Sequence, residues 1–154
     1  TRGEPLQKPF RVKDQWILPN ICYEDIFGEE IADQIRHEYK TGQPTPTVLL
    51  NVSNIAWFGN TIALPQHLQI SQMRSLETGR PMLRATNTGT TAVIDARGRP
   101  VAWLPPYTRG ELATTIQGTR GATPFIRFGN LTILIVALAA LITARLLATR
   151  KRSR

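Results

Sequence analysis

Cysteine is nearly missing from this sequence, which has one, Cys22, in 154 residues. A single thiol excludes an internal disulfide and any metal site built on paired thiolates. Histidine is scarce as well, with only His37 and His67, and no CxxC or HxxxH spacing occurs. Neither a metal nor an organic cofactor is expected. No glycine-rich phosphate loop and no internal repeat is present. Nothing around Thr1-Arg2-Gly3 reads as a secretory signal, and the chain does not begin with methionine. The expectation is that the start is missing and that export depends on something upstream.

What is present suits one packed domain, with 42% hydrophobic and 19% charged residues. The net charge of +8 suggests nucleic acid until it is located. Five of the nineteen basic residues (Arg145, Arg150, Lys151, Arg152, Arg154) lie in the last ten, with no acid among them. The remaining fourteen basic residues face eleven acids, a balance ordinary for a soluble domain, so no nucleic-acid partner is expected.

That basic tail follows the most apolar run in the chain. No charge interrupts residues 128–144, and with Arg145 snorkelling a helix can continue to Ala148, a span of about 31 Å at ~1.5 Å per residue. A hydrocarbon core is about 30 Å thick. Residues 128–148 are therefore read as a transmembrane helix and 149–154 as a basic tail, cytoplasmic by the positive-inside rule. A buried core helix is the alternative, but no polar face argues for it.

The rest reads as α/β. Gln7 to Val12 and Trp16 to Cys22 are extended segments, and a helix is expected from about Asp25 to Tyr39, stopping before Thr41-Gly42-Gln43-Pro44-Thr45-Pro46. Thr47 to Ser53 is a short apolar strand, so the order is strand, helix, strand, a βαβ unit. A second helix is expected from Pro65 to Gly79. Strands follow at 82–85 and 90–95, the latter forming a hairpin with 101–104, and Glu111 to Ile116 is a last strand candidate. Ligands of such units bind at the carboxyl ends of strands, where Cys22 and Ser53-Asn54 both fall.

Cys22 lies where a strand hands over to a helix. Unpaired backbone N–H groups there favour a thiolate and can stabilise an oxyanion. The other reading is an inert, buried cysteine. Trp57 and Phe58, adjacent in the next loop, serve either as an acyl-chain contact or lid, or as ordinary packing. His37 reads as a solvated surface residue, and His67 as a hydrogen-bonded structural histidine rather than a substrate contact. Asn51-Val52-Ser53 fits a glycosylation pattern but sits in an expected buried strand.

Several stretches together resemble bacterial apolipoprotein N-acyltransferases of the nitrilase superfamily. They are Asn20-Ile21-Cys22-Tyr23-Glu24-Asp25-Ile26-Phe27-Gly28-Glu29-Glu30, Asn51-Val52-Ser53-Asn54, Ala56-Trp57-Phe58-Gly59, Gln66-His67-Leu68-Gln69, Met73 to Pro81 and Arg84 to Gly89. The resemblance covers roughly residues 7–145. It implies the C-terminal part of a nitrilase-like α-β-β-α sandwich over 1–117, a linker at 118–127, then the membrane helix. It implies Cys22 as nucleophile, with Tyr23 and Glu24 on positions needed for activity and Trp57 and Phe58 at the mouth of the site, admitting lipid. The implied partners are a phospholipid acyl donor, a diacylglyceryl apolipoprotein acceptor and the bacterial inner membrane, with the globular part periplasmic and the protein a monomer.

The chemistry of the residues agrees. A thiolate attacks an ester and leaves readily from the thioester, so Cys22 can take up an acyl group and pass it to an amine. The Tyr23 N–H can serve as an oxyanion donor, and Glu24 either positions an ammonium group or caps the helix. The glutamate and lysine of the family's catalytic set lie well before the cysteine, whereas only twenty-one residues precede Cys22. The chain is therefore expected to be a fragment without activity alone. Two further readings stay open: a membrane-anchored nitrilase-like amidase, and an inactive truncated product.

Overall fold

The computed structural model describes residues 6–152, with side chains up to residue 148. The basic tail expected over 149–154 lies outside the described side chains. Six strands form one sheet in the order of the chain: β1 (Phe10–Val12), β2 (Gln15–Ile21), β3 (Val48–Ser53), β4 (Met82–Thr86), β5 (Thr91–Ile94) and β6 (Pro100–Leu104). The three central strands β2, β3 and β4 are parallel, and β1, β5 and β6 are antiparallel additions at the two edges.

Parallel neighbours need crossovers, which α1 (Gly28–Thr41) and α2 (Ala63–Thr78) supply. Both helices cover one face of the sheet. Ile31 and Ile35, one turn apart on α1, pack on Leu18, Leu49, Met82, Ala92 and Ile94, with Leu68 of α2 against the cluster. On the opposite face the register partners Ile21 and Val52 are 64% and 49% exposed. The described residues thus form one helical layer on one sheet.

The first helix does not begin at Asp25. Cys22 adopts a φ of +55°, and Cys22–Ile26 forms a 3₁₀ turn in which the Phe27 N–H bonds to the Glu24 carbonyl at 3.1 Å. Only from Gly28 can α-helical bonding start. The helix then ends at Gly42 in the left-handed conformation, before the proline-rich loop that the sequence marks as a stop. Helix α2 likewise ends at a left-handed Gly79.

Glu111 to Ile116 forms no strand. Pro105 and Pro106 offer no N–H to continue β6, and Tyr107 turns the chain away at a φ of +59°. The segment instead returns to the centre of the sheet, where the Thr119 N–H bonds to the Thr47 carbonyl at 3.0 Å. The expected linker also contains a helix, α3 (Pro124–Phe128), with proline in its first turn. Its N-cap Thr123 accepts a bond from the Ile126 N–H at 3.1 Å and donates to the Glu77 carbonyl at 2.5 Å. Gly129, at a φ of +55°, then separates α3 from α4 (Leu131–Arg152), so the long apolar helix begins three residues later than its composition suggests. Leu131–Ala148 has a mean hydropathy of 2.4 with none of it buried.

Candidate active site

Because β2 and β3 run parallel, the turns that follow them emerge at the same end of the sheet. The Cys22 turn and the Asn54 loop therefore lie side by side, and the Cys22 Sγ sits 3.8 Å from the Asn54 carbonyl oxygen. A left-handed backbone at a residue bearing a Cβ costs about 1–2 kcal/mol, so the Cys22 turn must be held from outside. Asn51, on β3, does part of this. Its Nδ2 donates to the Cys22 carbonyl at 3.1 Å and to Asn20 Oδ1 at 2.5 Å, while its Oδ1 accepts from Ser53 Oγ and, at 3.3 Å, from Arg84 Nη1. Every hydrogen-bonding position of this buried side chain is used, which also rules it out as a sugar acceptor in the folded chain.

The 3₁₀ turn sends its residues in opposite directions. Tyr23 is exposed, with its ring edge-on to Phe27 at a centroid separation of 6.2 Å. The Glu24 carboxylate folds back to accept the Ile21 N–H at 2.6 Å, which caps the turn while leaving the residue at the surface. Asp25, by contrast, is fully buried. Arg74 on α2 closes the turn from below, donating to the Asp25 and Ile26 carbonyls at 3.2 and 2.9 Å and to Glu77 at 2.8 Å. A Cβ on Gly28 would lie 2.5 Å from the Arg74 guanidinium, so a larger residue here would displace that side chain from its present position.

Around Asp25 lies a polar cluster buried in an otherwise apolar layer. Ser71 Oγ donates to Asp25 Oδ2 at 2.6 Å and accepts from Arg84 Nη1 at 2.6 Å. The Arg84 guanidinium lies 3.6 Å from the same carboxylate, and His67 Nε2 lies 3.7 Å from its other oxygen. Asp25 Oδ1, both ring nitrogens of His67 and Arg84 Nη2 have no hydrogen-bond partner among the described residues. Burial raises the Asp25 carboxyl above its ordinary value, with Ser71, His67 and Arg84 pulling the other way. Burial lowers the His67 imidazole and the Arg84 charge lowers it further, so the ring is neutral near pH 7. Arg84 itself is pushed down to about 10 by burial and stays a cation at neutral pH.

Trp57 and Phe58 stack on each other at 4.4 Å in a short 3₁₀ turn (Ala56–Phe58), with Trp57 73% exposed. The Trp57 Nε1–H donates to the Asn54 carbonyl at 3.0 Å, the same oxygen that faces Cys22. The Asn54 side chain in turn accepts from Asn87 Nδ2 at 2.7 Å, tying this loop to the one after β4. Cys22, Tyr23, Glu24 and Trp57 thus come together at one end of the sheet. His67 is buried as a structural histidine should be, yet it faces Asp25 without a close hydrogen bond, and His37 is at the surface. Sequence reasoning missed Asn51, Ser71, Asp25 and Arg84 as a group, because they come from four separate elements. Their one signal was a charged residue, Arg84, between the apolar Met82, Leu83 and Ala85 of a strand.

Residues 3–125 match the family model described as carbon-nitrogen hydrolase. The chain is 53% identical over 152 residues to the apolipoprotein N-acyltransferase of Ralstonia nicotianae, covering 99% of this chain and 28% of that protein. It is 55% identical over 130 residues to that of Nitrosomonas europaea, covering 84% and 24% respectively. The chain therefore spans about a quarter of the length of these curated relatives. Among solved structures it is similar to the carbon-nitrogen hydrolase from Helicobacter pylori G27, with a TM-score of 0.57 at 14% identity over 71% of this chain and 43% of that one. It is also similar to an amidase from Nesterenkonia sp., with a TM-score of 0.53 at 18% identity over 69% of this chain and 40% of that one. At such identities the likeness shows the fold.

Proposed function

This chain belongs to the carbon-nitrogen hydrolase family, and from that premise we propose that it carries the nucleophile half of an N-acyltransferase. In this reading the Cys22 thiolate attacks the ester carbonyl of a phospholipid, forming a thioester and releasing the lysophospholipid. The α-amino group of a diacylglyceryl-cysteine lipoprotein then attacks the thioester, forming the amide and returning the thiol, with the amine's proton going to a general base. The Tyr23 N–H contributes to the oxyanion site, and Glu24, capping the turn from the surface, is the acid nearest the incoming ammonium. Trp57 and Phe58 give the acyl chain its first apolar contact. The glutamate and lysine of the catalytic set come, in this reading, from a segment preceding Thr1.

The observation that carries the proposal is the shared Asn54 carbonyl, which sets the thiol and an exposed indole against one oxygen. An apolar acyl chain lying on the indole would bring its ester within reach of the sulfur. Helix α4 supports the same reading, since 22 residues rise about 33 Å and match a bilayer. We place α4 across the bacterial inner membrane with the sheet on the periplasmic side, the C-terminus in the cytoplasm and the protein monomeric. The names of the relatives, at 45–55% identity, point to the same reaction. A second reading, hydrolysis of small amides, is favoured by the likeness to an amidase that in one structure bears a covalent acetamide moiety at its active-site cysteine. It leaves α4 and the exposed Trp57 without a task.

The test is incubation with phospholipid labelled in its acyl chain. A version carrying the upstream glutamate and lysine should retain hydroxylamine-sensitive label on Cys22, and the 154-residue chain alone should not turn over. Turnover of small amides with no label retained supports the amidase instead.

A further inference from the structure

The left-handed Cys22 turn is held by a chain of contacts that leads to one buried cation. The Cys22 carbonyl accepts from Asn51 Nδ2 at 3.1 Å, and Asn51 Oδ1 accepts from Arg84 Nη1 at 3.3 Å. The same Nη1 reaches Ser71 Oγ at 2.6 Å, whose hydroxyl holds Asp25 at the far end of the turn. Arg84 Nε is fixed by the Thr90 carbonyl at 3.2 Å, so the guanidinium has little freedom to follow solvent. It is 2% exposed and sits one side chain away from the nucleophile's backbone.

We propose that Arg84 is the positioning residue of the nucleophile. Through Asn51 it fixes the start of the Cys22–Ile26 turn, and through Ser71 and Asp25 it fixes the end. This builds on the proposed role of Cys22 as nucleophile. An arginine suits the task because its planar fork serves several acceptors at once, whereas a lysine ammonium would meet one or two.

The other charged and titratable groups facing the turn are consistent with this assignment. Glu24 and Tyr23 of the turn itself lie at the surface, and Asp25 is partly compensated by Ser71 and Arg84. From α2, His67 is neutral, and Arg74 is paired with Glu77. Arg84 itself pairs with the Asp25 carboxylate at 3.6 Å, and its Nη2 has no hydrogen-bond partner among the described residues.

Alkylation of Cys22 by iodoacetamide at a fixed pH in the detergent-solubilised 154-residue chain tests the proposal without requiring acyl transfer. Arg84→Gln should slow alkylation by about tenfold, because the turn that presents the sulfur loses its anchor. Arg84→Lys should recover part of the lost rate but not all of it, because an ammonium meets fewer of the same acceptors than the guanidinium fork. An unchanged rate in a folded Arg84→Gln variant would overturn the proposal. If Arg84→Gln loses its circular dichroism, Ser71→Ala decides: a severalfold slower alkylation in a folded protein supports the assignment, and an unchanged rate contradicts it. Failure of acyl transfer in a longer version would bear on the proposed reaction and leave this result standing.

Discussion

The indole of Trp57 and the thiol of Cys22 converge on a single oxygen, the backbone carbonyl of Asn54, at 3.0 and 3.8 Å. One residue comes from a surface 3₁₀ turn and the other from the end of a central strand. The contact makes the position of the exposed aromatic pair depend on the same peptide group that borders the sulfur. Trp57→Phe keeps an aromatic face but removes the N–H donor. It is expected to slow acylation of Cys22 a few-fold in a version bearing the upstream glutamate and lysine, and Trp57→Ala to slow it at least tenfold. Both should leave the iodoacetamide reactivity of Cys22 within about twofold, since neither touches the charges around the thiol.

Gly28 lies against the Arg74 guanidinium, where a Cβ would come within 2.5 Å. Gly28→Ala should push Arg74 off the Asp25 and Ile26 carbonyls and destabilise the fold by about 1–3 kcal/mol. A fall in the thermal midpoint would show it, and Arg74→Ala should then add little further loss, because the two changes break the same contact.

His67 makes stability depend on pH in a defined direction. Its folded-state pKa is lowered from 6.5, so the unfolded chain binds a proton that the folded chain refuses. Stability should be full above pH 6.5 and fall as the pH drops towards the folded value. Asp25, raised from 3.8 by burial, acts with the opposite sign, its contribution lost as the pH rises through its folded value. Chemical denaturation at pH 7.5, 6.5 and 5.5 should show the decline, and His67→Gln should flatten it.

Arg80 is buried with no carboxylate paired to it among the described residues, its guanidinium donating to the Pro46, Thr78 and Gly121 carbonyls at 2.7, 3.3 and 2.7 Å and to the Tyr39 hydroxyl at 3.3 Å. It joins the end of α2 to the strap that leads into α3. Arg80→Met should leave these acceptors unpaired and cost about 3 kcal/mol or more. Limited proteolysis should then cut within residues 118–123 well before the sheet is lost.

Much of this architecture was legible in the sequence. The run from Thr47 to Ser53 between two helical stretches gave the βαβ order, Gly42 and Gly79 marked the helix ends, and the uncharged stretch from Phe128 to Ala144 gave the long apolar helix. What escaped depends on contacts between distant parts. Asp25 reads as a helix-starting acid, but the positive φ at Cys22 turns it inward, where Ser71 and Arg84 receive it. Thr114 and Thr115 have strand propensity, yet the end of their segment is tied to Thr47 rather than to the edge of β6. The Thr123-Pro124 helix start was readable by its chemistry and was masked by the glycines before it.

In the proposed reaction the Cys22 sulfur carries an acyl group in transit. Mass spectrometry of the tryptic peptide 14–36, from a version containing the upstream glutamate and lysine mixed with phospholipid, tests it most directly. One added acyl mass is expected on Cys22, lost with neutral hydroxylamine and on addition of a diacylglyceryl-cysteine peptide, and absent in Cys22→Ser. Transfer of the acyl chain to that peptide by the Cys22→Ser variant at the unaltered rate would contradict it.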